Sequence, residues 1–220
     1  MEEHLRSGWG TLLKPLAWQG ALCHGPSHGS KVTFTRPDTL PGWKGLPEPD
    51  EAAPAAIAAY LGAYGPAAPE AFDAWLSRGS LRKGVLRGWS AAMGDRLTTA
   101  DVDGHDAYVL AEHADDLAAT KPSTSIRLLA GFDQYVLGPG TNDRQLLPAE
   151  HRDKVSRAAG WISPIVVVRG RITGVWELDG GAVSLSLFPG AEMPSTADLE
   201  AEVAHLARAT GKDDLGVRLS

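Results

Sequence analysis

Side chains able to hold a phosphate are gathered in two stretches of this chain, whereas those able to break a bond are scattered. From Arg78 to Arg96 five basic residues, Arg78, Arg82, Lys83, Arg87 and Arg96, stand against a single acid, Asp95. Guanidinium and ammonium groups at that density suit neutralisation of a phosphodiester backbone. The second set surrounds the loop Gly25-Pro26-Ser27-His28-Gly29-Ser30. It offers backbone amides, the hydroxyls of Ser27 and Ser30 and the His28 ring, flanked by Lys14, Lys31 and Arg36, a composition suited to phosphate and sugar contacts.

Bond-breaking chemistry is harder to assemble. Asp133 lies near Tyr135, and His151 near Asp153, but neither pair has the spacing of a metal site or a nucleophilic triad. No phosphate loop appears among the 25 glycines, and the seven histidines are dispersed. We read those histidines as solvent-facing or hydrogen-bonded structural groups. The single cysteine, Cys23, excludes an intramolecular disulfide and a cysteine-rich zinc module, and reads as a half-buried strand residue without a role. No metal or other cofactor is expected.

Helical periodicity places the cations. Ile57, Tyr60, Leu61 and Tyr64 share one face of a helix over Ala55 to Tyr64, which Gly65-Pro66 ends. Pro69 begins a second helix, with Phe72, Trp75 and Leu76 on one face and Glu70 and Asp73 early, where the macrodipole favours acids. Ser80 is a plausible N-cap for a third, whose inner positions are Leu81, Val85, Leu86, Trp89 and Met93 and whose remaining positions hold Arg82, Lys83 and Arg87. Two alternating segments, Arg96 to Val102 and His105 to Glu112, follow around the turn dipeptide Asp103-Gly104. Three helices and a hairpin are the winged-helix order, with the basic charge on the recognition helix. A hairpin carrying Asp101, Asp103 and Asp106 would repel phosphate, so the third helix is the expected contact. Such modules also serve as non-catalytic DNA-binding regulators or as protein-interaction modules, here with an acidic hairpin for a basic partner.

Upstream, Leu16-Ala17-Trp18 and Ala21-Leu22-Cys23 around Gly20, then the alternating Lys31 to Arg36, suggest a second wing-like hairpin closing over the Gly25 to Ser30 loop. Only Met1 to Lys14 precede it, so the expectation is a partial winged helix with the chain starting inside a domain. Downstream, Ile126 to Leu137, Ile162 to Val168, Arg171 to Glu177 and Val183 to Phe188 read as strands, with a short helix from Pro148 and a final amphipathic helix over Ser195 to Thr210. The expected fold is α+β: tandem winged-helix modules, the first partial, followed by a small antiparallel β-domain. The expected boundaries are 1–45, 50–120 and 121–220.

A chain of 220 residues, 43% hydrophobic and with seven Trp, can bury a real core. Its net charge of -6 argues against a nucleic-acid binder that uses its whole surface, yet phosphate affinity depends on the local field. The acidic, polar start is unlike a signal peptide, and no apolar run approaches the roughly 18 residues of a membrane span, so a soluble, cytoplasmic, monomeric protein is expected.

Several segments resemble one family. Gly10-Thr11-Leu12-Leu13-Lys14-Pro15, Trp18 to Cys23 and Lys31 to Asp38 are similar to its second winged helix, and Ala63 to Phe72 to the start of its third. Phe132 to Gly138, Leu146-Leu147-Pro148, Gly160 to Val168, Gly170-Arg171-Ile172 and Gly174-Val175-Trp176 are similar to its β-domain signature. This is the winged-helix family of bacterial interstrand-crosslink, or alkylpurine, DNA glycosylases. The resemblance implies double-stranded DNA as partner and metal-free, monofunctional release of alkylated bases with unhooking of crosslinks. The family's catalytic signature is a Gln-hydrophobic-Gln or Gln-hydrophobic-Asp triplet in its first winged helix. Here Gln19, Gln134 and Gln145 are followed two positions later by Ala21, Val136 and Leu147, so no catalytic residue carries over. The expectation is a DNA-binding chain of glycosylase descent without the catalytic first module.

Overall fold

Glycine and proline set the ends of most elements in the computed structural model, which describes residues 13–212 and 214–219. The chain divides into two units, Met1–Ala53 and Pro54–Ser220. In the first, α1 (Lys14–Trp18) accommodates Pro15 in its opening turn, where a missing N–H costs nothing. Gly20, at φ +67°, then turns the chain into β1 (Cys23–His24), which pairs antiparallel with β2 (Phe34–Thr35). The strand expected over Lys31 to Arg36 is thus only two residues long. Before it, the chain is held as a loop: Gly25 N–H donates to Thr33 O, the Thr33 hydroxyl donates to Pro26 O, and His28 and Lys31 exchange backbone bonds. After it, Pro37 starts a 3-10 turn. Among the described residues of this unit only Pro37 and Ala53 are buried.

Helix α2 (Pro49–Tyr64) begins earlier than the periodicity suggested and runs through Pro54. With α3 (Pro69–Ser77) and α4 (Lys83–Ala92) it encloses a core of Ile57, Tyr60, Leu61, Phe72, Leu86, Met93 and Leu110. Of the expected apolar stripes, Ile57, Tyr60, Leu61, Phe72, Leu86 and Met93 face inward, whereas Trp75 and Leu76 of α3 are exposed. The helix-start signal at Ser80 does not operate, however: α4 begins at Lys83 with Arg82 as N-cap, and Ser80 N–H donates to the Ser77 hydroxyl at 3.0 Å. Strands β3 (Leu97–Val102) and β4 (His105–Leu110) then form the hairpin, with Asp103 (φ +53°) and Gly104 (φ +82°) both left-handed, as a two-residue turn of this hand requires. Helix α5 (Ala114–Ala119) leads onward.

The same unit contains a five-stranded sheet ordered β5 (Ile126–Leu129), β6 (Ile165–Val168), β7 (Arg171–Asp179), β8 (Ala182–Leu187) and β9 (Gly216–Leu219). It is not wholly antiparallel, since β9 pairs parallel with β8. The turn after the last helix carries this strand back along the exposed edge of β8, a tertiary pairing with no local signal. The stretch Ile126 to Leu137 is not one strand either. It breaks after Leu129, passes through Phe132 in the left-handed region (φ +62°), and enters α6 (Gln134–Leu137), where the Asp133 carboxylate accepts the Tyr135 N–H at 2.8 Å. Helix α7 (Arg152–Val155) follows the short turn after Pro148.

Period-two alternation gives the sheet two buried faces. Ile126, Leu128, Val166, Val168, Val183 and Leu185 pack against Leu199, Val203 and Ala207 of α8 (Thr196–Thr210). Ile165, Val167 and Ile172 meet Val136, Leu147, Val155 and Phe188 on the other side. Helix α8 starts at the Ser195 N-cap, whose hydroxyl accepts the Asp198 N–H, and stops at Gly211 (φ +67°). No helix among the described residues is long and apolar enough to cross a membrane.

The segment 134–145 joins helices and sheet. Tyr64 donates to Gln134 Oε1 at 3.0 Å, Tyr135 to Gly170 O at 2.7 Å, and Gln145 Nε2 to Val102 O at 2.9 Å. Gly138 lies so close to the Tyr64 ring that a Cβ there would fall 2.1 Å from Cε1.

Candidate nucleic-acid interface

Two backbone devices deliver the basic residues of the third helix to solvent. Arg78 caps α3 in the left-handed conformation (φ +60°), and Gly79 continues the turn at φ +76°. Beneath the turn, buried Asp73 accepts the Ser77 hydroxyl at 2.5 Å and the Leu81 N–H at 3.3 Å, so the carboxylate fixes the path from Ser77 to Arg82. The chain enters α4 with Leu86 buried and Val85 and Trp89 half-buried. Helical geometry then puts Lys83 and Arg87, four residues apart, on the opposite side. Arg78, Arg82, Lys83 and Arg87 are all exposed, and none has an ion-pair partner among the described residues.

The same face carries Gly84 and Gly88, also four apart and exposed, with no heavy atom within 4 Å of where a Cβ would stand. Packing does not account for these glycines. A groove of about 620 Å³ on this module is lined by Lys83, Arg87, Ser90, Ala91 and Tyr108, and by the acidic Glu70. The hairpin differs in charge. Asp101 and Asp106 are direct cross-strand partners, an unfavourable pairing of like charges, and Asp101 is occupied in accepting the Gly104 N–H. Asp103 reaches Arg171 of β7 at 3.6 Å, and Arg171 also donates to Gln145 O.

The residues expected around the amino-terminal loop fare unevenly. Ser27, His28 and Lys31 are exposed on the loop of the β1–β2 hairpin, with Gly29 at φ +63° at its tip. Lys14 is the first residue of α1 and half-buried. Arg36 is exposed, and its guanidinium is engaged in a two-pronged pair with Asp38, through Nε to Oδ1 and Nη2 to Oδ2. That bond holds the Asp38 carboxyl below its usual range and pushes the Arg36 guanidinium up. Arg78, counted in the basic run but given no contact, joins the exposed cations through the left-handed cap, which no sequence pattern announced.

Comparison with known proteins gives a consistent result. The family described as DNA glycosylase AlkZ-like matches residues 2–209. An interstrand DNA cross-link repair glycosylase from Streptomyces sahachiroi is 58% identical over 221 residues, an alignment that covers all of this chain and 60% of that protein. The solved structure of Streptomyces sahachiroi DNA glycosylase AlkZ superimposes with a TM-score of 0.92, again over the whole of this chain and 60% of the other. The chain therefore spans less than two thirds of the length of that relative.

Proposed function

The chain belongs to the AlkZ-like DNA glycosylase family, and on that premise we propose that it binds double-stranded DNA in base-excision or crosslink repair, through α4 and the turn that leads into it. In this reading α2, α3, α4 and the β3–β4 hairpin are a winged helix with α4 as recognition helix, and the β1–β2 hairpin is the wing of another such module. Lys14, Ser27, His28, Lys31 and Arg36 add contacts to phosphate or sugar. The supporting observation is the set Arg78, Arg82, Lys83 and Arg87, exposed, without an ion-pair partner among the described residues, and displayed by the cap of α3, the N-cap of α4 and α4 itself. Four cations without carboxylate partners are the arrangement a polyanion stabilises. In this reading the acidic hairpin, with Asp101 facing Asp106, repels phosphate rather than contacting it.

Hydrolysis of an N-glycosidic bond places water on the sugar carbon and releases the base, and we assign no residue of this chain to that step. Its residues hold and orient the duplex. The test is the salt dependence of affinity for a short duplex. Log affinity should fall linearly with log salt, by about 0.9 for each phosphate neutralised, and changing Arg82, Lys83 and Arg87 to Ala together should reduce that slope by roughly two to three. Absence of measurable binding at low salt would instead favour a protein partner for the acidic hairpin. Glycosylase activity on an alkylated duplex, assayed with this chain and with a version extended to the length of the relative, assigns the catalytic step.

A further inference from the structure

Phe132 and Trp161 stand together at the surface, 45% and 53% exposed, with ring centroids 5.1 Å apart and planes at 85°. Their exposure is built in by the backbone. Gly131 approaches the 161–163 segment so closely that a Cβ would lie 2.9 Å from Ile162 O, which pins Phe132 beside Trp161. Phe132 itself is left-handed at φ +62°, a conformation unfavourable for a residue with a Cβ, and Asp133 fixes the chain on the far side by capping α6. Trp161 sits in a tight turn: Arg157 N–H donates to Trp161 O at 2.8 Å, with Ala159 at φ +58° and Gly160 at φ +76° between them. Ser156 and Ile162 are bridge partners, and Ile162 points into the core. Arg157 and Trp161 flank the turn, joined by that backbone bond, and both are exposed, Arg157 with no ion-pair partner among the described residues.

We propose that Phe132, Trp161 and Arg157 form a stacking site for an unpaired DNA base and its phosphate. An indole face suits the flat π surface of any base, and a guanidinium beside it suits the anion attached to the same nucleotide. The cation chooses this occupant over an apolar protein surface, which would leave a desolvated charge beside the indole. Two left-handed non-glycine residues within one patch also indicate a shape held for a ligand rather than for the core. The inference rests on the reading of the chain as DNA-binding, but it uses none of the residues of α4.

Anisotropy with two labelled probes at one low salt concentration tests it: a fully paired duplex, and the same duplex with a single-base bulge. The chain should bind the bulged probe at least about fivefold more tightly. Trp161→Ala should bring that ratio to about one while leaving affinity for the paired duplex unchanged, and Trp161→Phe should keep most of it. Phe132→Gly relieves the left-handed strain, so it should maintain or raise Tm while lowering the ratio, which separates lost stacking from misfolding. The triple change at Arg82, Lys83 and Arg87 should weaken both probes alike. A wild-type chain indifferent to the bulge, or a preference that survives Trp161→Ala, overturns the proposal. So does a changed sedimentation coefficient in Trp161→Ala with the ratio intact, which would mark a self-association surface. Failure of either probe to bind at all would defeat the DNA reading itself, a different result from failure of the bulge preference.

Discussion

Asp73 is an ionisable side chain in a buried position, and its two hydrogen bonds explain why it is tolerated there. A carboxylate withdrawn from water needs donors, and the Ser77 hydroxyl and Leu81 N–H supply them from the very turn that delivers Arg78 and Arg82 to the surface. Local sequence showed Asp73 only as an acid near a helix start. Its partner four residues on and the amide eight residues on emerge only once the turn is built. Tyr60 is the comparable group in the helical core. Its ring packs among Tyr64, Phe72 and Trp75, its hydroxyl reaches Gly138 O at 3.5 Å, and burial pushes its ionisation from 10.0 to about 12, with Asp143 adding to the shift. A folded-state value above the unfolded one contributes stability that is complete below about pH 10 and is lost as pH rises through about 12. Tyr135, raised by burial in the same direction, adds to the loss. Urea midpoints measured between pH 8 and 12 should therefore fall for the native chain, with a shallower fall in Tyr60→Phe. Equal slopes in the two would show that Tyr60 is not the group responsible.

At the scale of elements, those whose cause is local were legible and those made by distant partners were not. The β3–β4 hairpin could be read from Asp103-Gly104 because a two-residue turn of this hand demands φ > 0 at both positions. Helix α8 followed from its periodicity and the Gly211 stop. The inner face of α4 was right, but its start was not, because Ser80 is drawn into the Ser77 turn rather than capping a helix. Helix α6 was hidden inside an apolar run that looks like strand, and β9 exists only through the edge of β8. Gly84 and Gly88 belong to this scale. In an exposed helix each lowers stability relative to Ala by about 1 kcal/mol, and neither has a neighbour that a methyl group would strike. Gly84→Ala and Gly88→Ala should each raise the urea midpoint, by an amount corresponding to about 1 kcal/mol or somewhat less. If α4 lies against a phosphate backbone, the same changes should weaken duplex binding, opposing their effect on stability. Stabilised variants with unaltered affinity would place the contact elsewhere on the surface.

For the whole molecule, the larger unit keeps the helices and the hairpin in one compact body with a sheet buried on both faces. The side-chain bonds of Tyr64, Tyr135 and Gln145 run between them, so α4 is presented on a braced frame. The α+β class was legible in the alternation of strands and helical stripes, and family membership in motifs spread over nearly the whole chain. The candidate site was only partly legible: charge density pointed to Lys83 and Arg87, whereas the pairing of Arg36 with Asp38 and the aromatic pair at Phe132 and Trp161 required three-dimensional placement. The reading as a whole turns on α4, rather than the acidic hairpin, meeting the duplex. Amide hydrogen exchange, followed with and without a saturating short duplex at low salt, measures this directly. Slowed exchange over residues 78–91, with residues 101–106 unchanged, is the predicted result; protection confined to 101–106, with 78–91 unaffected, would contradict it.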